Sequence, residues 1–220
     1  MEHNNSAIDS LAEAVRGWGI DFPEEKKELF VLYNRLLLEW NDRVHLVSSG
    51  DEKRIAGKHF IQSLAIAQTG LFNREIRMMD VGTGPGFPSL PLKILYPGIH
   101  LCLIEANRKK YLFLKEIVNL LKLEKVSIFC ERVENLLSDV ELIESFDVIT
   151  ARSVGQIGDV VRWSLPFLKS LSESHPRGVL VVPYGEYKHV EIPDDIDVTV
   201  REFIAKIDEK QNLRIMLFFR

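Results

Sequence analysis

The feature that most restricts this chain is a glycine-rich turn, Asp80-Val81-Gly82-Thr83-Gly84-Pro85-Gly86, set between an apolar run and a helical pattern. Residues 76–81 read as a strand, and 89–95 as a helix stopped by Tyr96-Pro97-Gly98. Glycine at a βα turn supplies backbone angles closed to other residues and lets a ligand lie against the main chain. In open α/β sheets ligands gather at such places, at the carboxyl ends of strands beside helix N-termini. The alternation continues with strands at 100–105, 126–130, 146–151 and 178–183 and helices at 108–122 and 156–169. That order demands a mostly parallel sheet with helices on both faces. Residues 197–207 and 213–219 are also strand-like, and the polar run Asp208–Asn212 between them predicts a closing antiparallel hairpin.

The first 70 residues follow a helical period instead. Leu29, Tyr33, Leu36, Leu37 and Trp40 form one apolar stripe, and Pro23 before them suits a helix start, so 24–40 is expected to be a helix. Further helices are expected at 8–18, ended by Gly19, and at 51–68, closed by Gly70. The predicted organisation is an N-terminal helical extension, 1–70, on a Rossmann-like domain, 71–220, the two forming one integrated unit. The expected domain is α/β, a mostly parallel seven-stranded sheet ending in an antiparallel hairpin, which is the architecture of Rossmann-like class I methyltransferases.

The turn spacing is G-x-G-x-G, and Phe87 stands where a dinucleotide fingerprint wants its third glycine, which argues against a nicotinamide or flavin cofactor. Glu105 ends the second strand, 23 residues beyond Gly82, where a carboxylate can accept hydrogen bonds from both ribose hydroxyls of an adenosyl group. Dinucleotide enzymes share that acid, so Glu105 points to an adenosyl ligand without choosing the cofactor.

A net charge of −4 argues against non-specific coating of nucleic acid but leaves room for local basic faces. Two clusters stand out: Arg108, Lys109 and Lys110, and Lys53, Arg54 and Lys58. Solvated helix faces often carry such charges with no partner. No run of about 18 uncharged apolar residues occurs. The start, Met1-Glu2-His3-Asn4-Asn5, lacks the basic and apolar pattern of a secretory signal. Cys102 and Cys130 sit in strand-like runs and are expected to be reduced thiols rather than a disulfide or metal pair. A cytoplasmic monomer without a membrane span or a metal is the expectation.

The segment from Asp80 to Leu92, with Pro88 and Pro91 following its glycines, closely resembles the glycine motif of the bacterial glucose-inhibited division protein B family. Further matches are Lys58-His59-Phe60-Ile61-Gln62-Ser63-Leu64, Leu103 to Lys110, Arg132-Val133-Glu134 and Phe146 to Arg152. The resemblance implies S-adenosylmethionine as cofactor and methylation of guanine N7 in 16S ribosomal RNA, free or within the small ribosomal subunit. It implies cofactor contacts from Asp80, Gly82, Gly84, Gly86 and Phe87, ribose binding by Glu105, and an adenine site flanked by Val133 and Glu134. Arg152 would face both the cofactor's reactive end and the RNA, and with His59 forms the implied catalytic pair. Lys58, Lys109 and Lys110 would contact RNA. The chain departs from the family pattern at several positions. It has His45-Leu46-Val47 for Asn-Leu-Thr, Lys58 and Gln62 for arginine and aspartate, Asn135 for a second acid, and Tyr184-Gly185 for Lys-Gly.

Guanine N7 carries an exposed lone pair, so its methylation requires alignment and no general base. Arg152 is the candidate donor to the neighbouring O6. Three other readings fit parts of the sequence: a methyltransferase for a small molecule or protein, a non-catalytic adenosyl- or RNA-binding module, and a nicotinamide-linked oxidoreductase. No inserted substrate-capping segment supports the first of these.

Overall fold

A computed structural model describes residues 2–171, 177–184 and 196–220, the side chains of residues 2–5 and 53 excepted. Two long helices, α1 (Glu2–Gly17) and α2 (Glu24–Val44), open the fold. A broken helical stretch follows: a 3-10 turn at Glu52–Arg54, a π-helical turn at Ile55–Phe60, α3 (Ile61–Ala65), and a 3-10 turn at Ile66–Thr69. Then come β1 (Arg77–Val81), α4 (Ser89–Leu95), β2 (His100–Ile104), α5 (Arg108–Leu120) and β3 (Val126–Phe129). After a 3-10 segment at Val133–Ser138 the chain forms β4 (Val148–Ala151), α6 (Ile157–Ser164) and β5 (Val179–Tyr184). The hairpin β6 (Thr199–Lys206) and β7 (Asn212–Phe219) closes it.

The seven strands lie in the order β3-β2-β1-β4-β5-β7-β6. The first five pair in parallel, and β7 runs antiparallel to both neighbours. Successive strands step one way from β1 to β3 and the other way from β4 to β5, so the order reverses between β1 and β4. Binding sites in such sheets form at this switch point, and the glycine turn leaves β1 there.

Strand alternation divides the core. Met78, Leu101, Leu103, Val148 and Val181 pack with α1, α2, α4 and α5 on one face. Met79, Val81, Ile149, Ala151 and Leu180 pack with Leu136, Val160 and Phe167 on the other. The N-terminal helices belong to the first cluster: Ile8, Phe30, Leu37 and Phe60 are fully buried in the same apolar mass as Leu90 and Leu92 of α4.

The expected helix over 51–68 is replaced by the broken stretch. Ile55 and Phe60 are both buried, as are Ala56 and Ile61. A π turn brings residues five apart toward the same side, and a uniform 3.6-residue period does not. The expected helix over 156–169 stops at Ser164 and tightens into a 3-10 turn at Leu165–Phe167, where Pro166 supplies no N–H to an α-helical ladder. Both cysteines are free, and burial pushes the Cys102 thiol up to about 11. Among the described residues no helix is long and apolar enough to cross a membrane.

Candidate active site

The three glycines of the turn all have positive φ: +63° at Gly82, +59° at Gly84 and +99° at Gly86. They differ in what lies above them. A Cβ on Gly82 would stand 2.7 Å from Val154 Cγ2, and one on Gly86 would stand 2.4 Å from Leu90 Cδ1 and 2.7 Å from the Tyr33 hydroxyl. At Gly84 no described atom lies within 4 Å of the Cβ position. Gly82 and Gly86 are therefore required by packing, and Gly84 is where the missing side chain leaves room for a ligand.

The walls of this turn are closed by hydrogen bonds. Asp80, fully buried, accepts from the Ser89 hydroxyl at 2.5 Å and from the Thr150 hydroxyl at 2.7 Å. The parallel register sets Asp80 directly opposite Thr150, which makes the second bond possible. Burial outweighs these donors and raises the Asp80 carboxyl to about 6. The expected cofactor contact by Asp80 is thereby corrected: with no exposed surface, it braces β1 against β4 and α4. Tyr33 of α2 donates to the Pro85 carbonyl at 2.5 Å, so the N-terminal helices hold the turn from behind.

Glu105, the expected ribose acid, stands beside Gly84. Its Oε2 accepts from the Gly84 N–H at 2.9 Å and its Oε1 from the Asn107 N–H at 2.7 Å. An ionised carboxylate offers roughly four acceptor positions, so both oxygens retain one for ribose hydroxyls. Asn107 caps α5 by accepting from the Lys109 and Lys110 N–H groups. The unfilled room at Gly84 and the spare acceptors of Glu105 fit an adenosyl ligand. Val133 is buried and Glu134 half-buried at the start of the 3-10 segment after β3, at the same end of the sheet.

A second constellation adjoins the turn. The His59 ring stacks on Phe87 with centroids 5.1 Å apart and planes 5° from parallel. Arg152, one residue past β4, directs Nη2 to Gln62 Oε1 at 2.7 Å and to His59 Nδ1 at 3.4 Å. The residues thus brought together come from the π turn, α3, the glycine turn and the end of β4. Two buried polar atoms here, Arg152 Nη1 and His59 Nε2, have no hydrogen-bond partner. His59 Nε2 lies 3.4 Å from Asp51 Oδ2 but lacks hydrogen-bond geometry. Burial, reinforced by the Arg152 charge, lowers the His59 imidazole to about 4, leaving it neutral at physiological pH. Burial also lowers the Arg152 guanidinium.

The remaining expectations fare unequally. Lys58 binds Asp51 through both carboxylate oxygens, at 2.7 and 2.8 Å, and this bond holds the Asp51 carboxyl down at about 2. Its ammonium is therefore engaged with Asp51, although its side chain is still about one third exposed, at 33%. Lys109 is exposed and Lys110 half-buried, with neither in an ion pair among the described residues. Tyr184 donates to Glu202, while Gly185 lies outside the described residues. The Val47 N–H donates to Asn41 Oδ1 at 2.8 Å. Sequence reasoning missed the structural work of Tyr33, Ser89, Thr150 and Val154. It also missed that Gln62, named only as a departure, is the direct partner of Arg152. Strand alternation and register were the available signal for Thr150; none pointed to Gln62.

The GidB family model, rRNA small subunit methyltransferase G, matches residues 26–203 of this chain. Ribosomal RNA small subunit methyltransferase G of Thermoanaerobacter sp. is 34% identical over 165 residues, 75% of this chain and 69% of that protein. The protein of the same name from Roseiflexus castenholzii is 38% identical over 162 residues, 74% of this chain and 69% of that protein. Among solved structures, precorrin-6y C5,15-methyltransferase of Geobacter metallireducens matches with a TM-score of 0.51 at 16% identity, covering 71% of this chain and 87% of its own. That last likeness is one of fold: the class I Rossmann-like methyltransferase sheet.

Proposed function

Since the chain belongs to the rRNA small subunit methyltransferase G family, we propose that it methylates N7 of a guanine in 16S ribosomal RNA, in the cytoplasm. The chain is an S-adenosylmethionine-dependent methyltransferase, and the cofactor when bound supplies an electrophilic methyl group on a sulfonium centre. Gly84, Glu105 and the Val133–Glu134 segment are the residues that would hold it.

The observation that carries the RNA reading is the pair of unpartnered buried atoms, Arg152 Nη1 and His59 Nε2, beside the glycine turn. Buried polar groups are almost always satisfied, so orphans at a strand switch point mark where a ligand completes the bonding. A guanine presents N7 and O6 as adjacent acceptors, and arginine is a well-suited donor to that edge. Arg152 Nη1 donating to O6 would fix the base in plane and leave N7 free. N7 needs no proton removed, so no side chain has to act as a base. The enzyme's task is alignment, and orientation of this kind can supply about 7–11 kcal/mol in favourable cases. Gln62 holds the other guanidinium nitrogen without neutralising it, and neutral His59 adds no second cation beside it.

The test is transfer of labelled methyl from S-adenosylmethionine to small ribosomal subunits that lack the modification, with deproteinised RNA in parallel and nuclease digestion to identify the base. Label at guanine N7 is expected. Cofactor binding with no label in either substrate would remove the RNA reading.

A further inference from the structure

Arg108, Tyr111, Lys115 and Asn119 follow one another along α5 at intervals of three, four and four residues, with Lys122 three further on, just past the helix end. Residues so spaced share one face. The Arg108 guanidinium lies 5.3 Å from the centroid of the Tyr111 ring and the Lys115 ammonium 5.9 Å from it. The tyrosine is half-buried between two cations, within the range of cation–π attraction. Beside this face runs an open groove of about 580 Å³ between α5 and the edge strand β3, lined by Tyr111, Val118 and Ile128, by the cations Lys115 and Lys122 and by one acid, Glu124.

The charge balance here is opposite to that of the whole molecule. Residues 108–122 hold five cations and a single acid, Glu116, in a chain of net charge −4. Glu116 accepts from Trp40 Nε1 at 3.1 Å, which occupies it with α2. Among the described residues, Arg108, Lys109, Lys110, Lys115 and Lys122 form no ion pair, whereas Lys27, Lys58, Lys125, Lys169 and Arg220 each do. In an acidic protein, five cations on and just past one helix, none in an ion pair among the described residues, around a half-buried tyrosine present a surface complementary to a polyanion with stackable bases.

We propose that this face of α5, with the groove beside it, binds the sugar–phosphate backbone of RNA outside the methylation site, Tyr111 stacking on an unpaired base. The proposal rests on RNA being the substrate. It places a tether that starts next to the Asn107 cap at the cofactor end and leads away along the helix. Affinity would then come from this tether, and base selection from Arg152.

The experiment measures binding of unmodified 16S RNA transcript to the full chain across a salt series, for the unsubstituted protein, Lys115→Gln/Lys122→Gln, Tyr111→Ala, and a control in the distant β6–β7 turn, Lys210→Gln. Each phosphate contact contributes roughly 0.7–0.9 to the slope of log affinity against log salt, so the double lysine variant is expected to lose about 1.4–1.8 of slope. Tyr111→Ala is expected to bind about tenfold more weakly with its slope retained, and Lys210→Gln to match the unsubstituted protein. Unchanged slope and affinity in the double variant, with its urea midpoint intact, overturn the proposal. So does a loss seen with assembled small subunits but not with naked RNA, which would make the partner a ribosomal protein. Failure of the methylation reading shows separately, as absence of label from the unsubstituted protein even though it binds RNA through α5.

Discussion

The two halves of the candidate active site are built by opposite rules. Around the glycine turn the polar groups are closed on one another: Asp80 on Ser89 and Thr150, Glu105 on Gly84 and Asn107, Pro85 on Tyr33. Around Arg152 the bonding is incomplete, with one guanidinium nitrogen and one imidazole nitrogen buried and unpartnered. The first arrangement is a frame whose shape exists before any ligand arrives. The second is an open valence that, in the proposed function, a substrate would fill. Frame and valence should therefore respond differently to mutation, the frame through stability and the valence through turnover.

Gly86→Ala gives the largest effect on the frame. Its Cβ would meet Leu90 and Tyr33 at a φ of +99°, and left-handed strain together with overpacking should cost about 3 kcal/mol of stability, read from chemical denaturation. A loss below about 1 kcal/mol would mean the turn gives way easily. Arg152→Ala gives the largest effect on the other half, about a hundredfold loss of methyl transfer from removal of one preorganised donor, with little change in the unfolding midpoint. Gly84→Ala sharpens the contrast within the turn. At φ +59° with open space above it, it should lose only about 1 kcal/mol while weakening cofactor binding about tenfold, the reverse of Gly86→Ala.

The smallest effect is in pH dependence, where the two halves oppose each other. The His59 imidazole, lowered to about 4, contributes stability above its ordinary value of 6.5 that is lost as pH falls toward 4. The Asp80 carboxyl, raised to about 6 from 3.8, contributes stability at low pH that is lost as pH rises through 6. Between pH 4 and 6 the slopes partly cancel. Asp80→Asn should therefore lose stability more steeply on acidification than the unsubstituted protein, and His59→Gln less steeply. Urea midpoints measured from pH 4 to 7 would decide it, and parallel curves for all three proteins would refute the opposition.

The same division governs what could be read from the sequence. The turn lies within seven residues, its flanking strand and helix carry clear apolar patterns, and Glu105 ends the next strand, so local spacing was enough. The sheet, the hairpin and the first two N-terminal helices were legible for the same reason. The contact between Arg152 and Gln62 spans 90 residues of chain, and that between Arg152 and His59 spans 93. Spacing says nothing about such pairs, and Arg152 and His59 were accessible only through family resemblance. The ion pair of Lys58 was not legible because its partner, Asp51, sits at the end of a turn where the Asp51 N–H bonds to the Ser48 carbonyl. A helical reading of 51–68 conceals that geometry. Asp80 was assigned to the ligand because it belongs to the motif, yet the alternation of β1 turns it, with Met78, toward the N-terminal helices.

The most direct test of this division is to measure cofactor affinity and methyl transfer to unmodified small-subunit RNA on the same preparation of Arg152→Ala. The account predicts S-adenosylmethionine affinity within about threefold of the unsubstituted protein and transfer lowered about a hundredfold. Transfer at the original rate, or cofactor affinity falling in step with transfer, would contradict it.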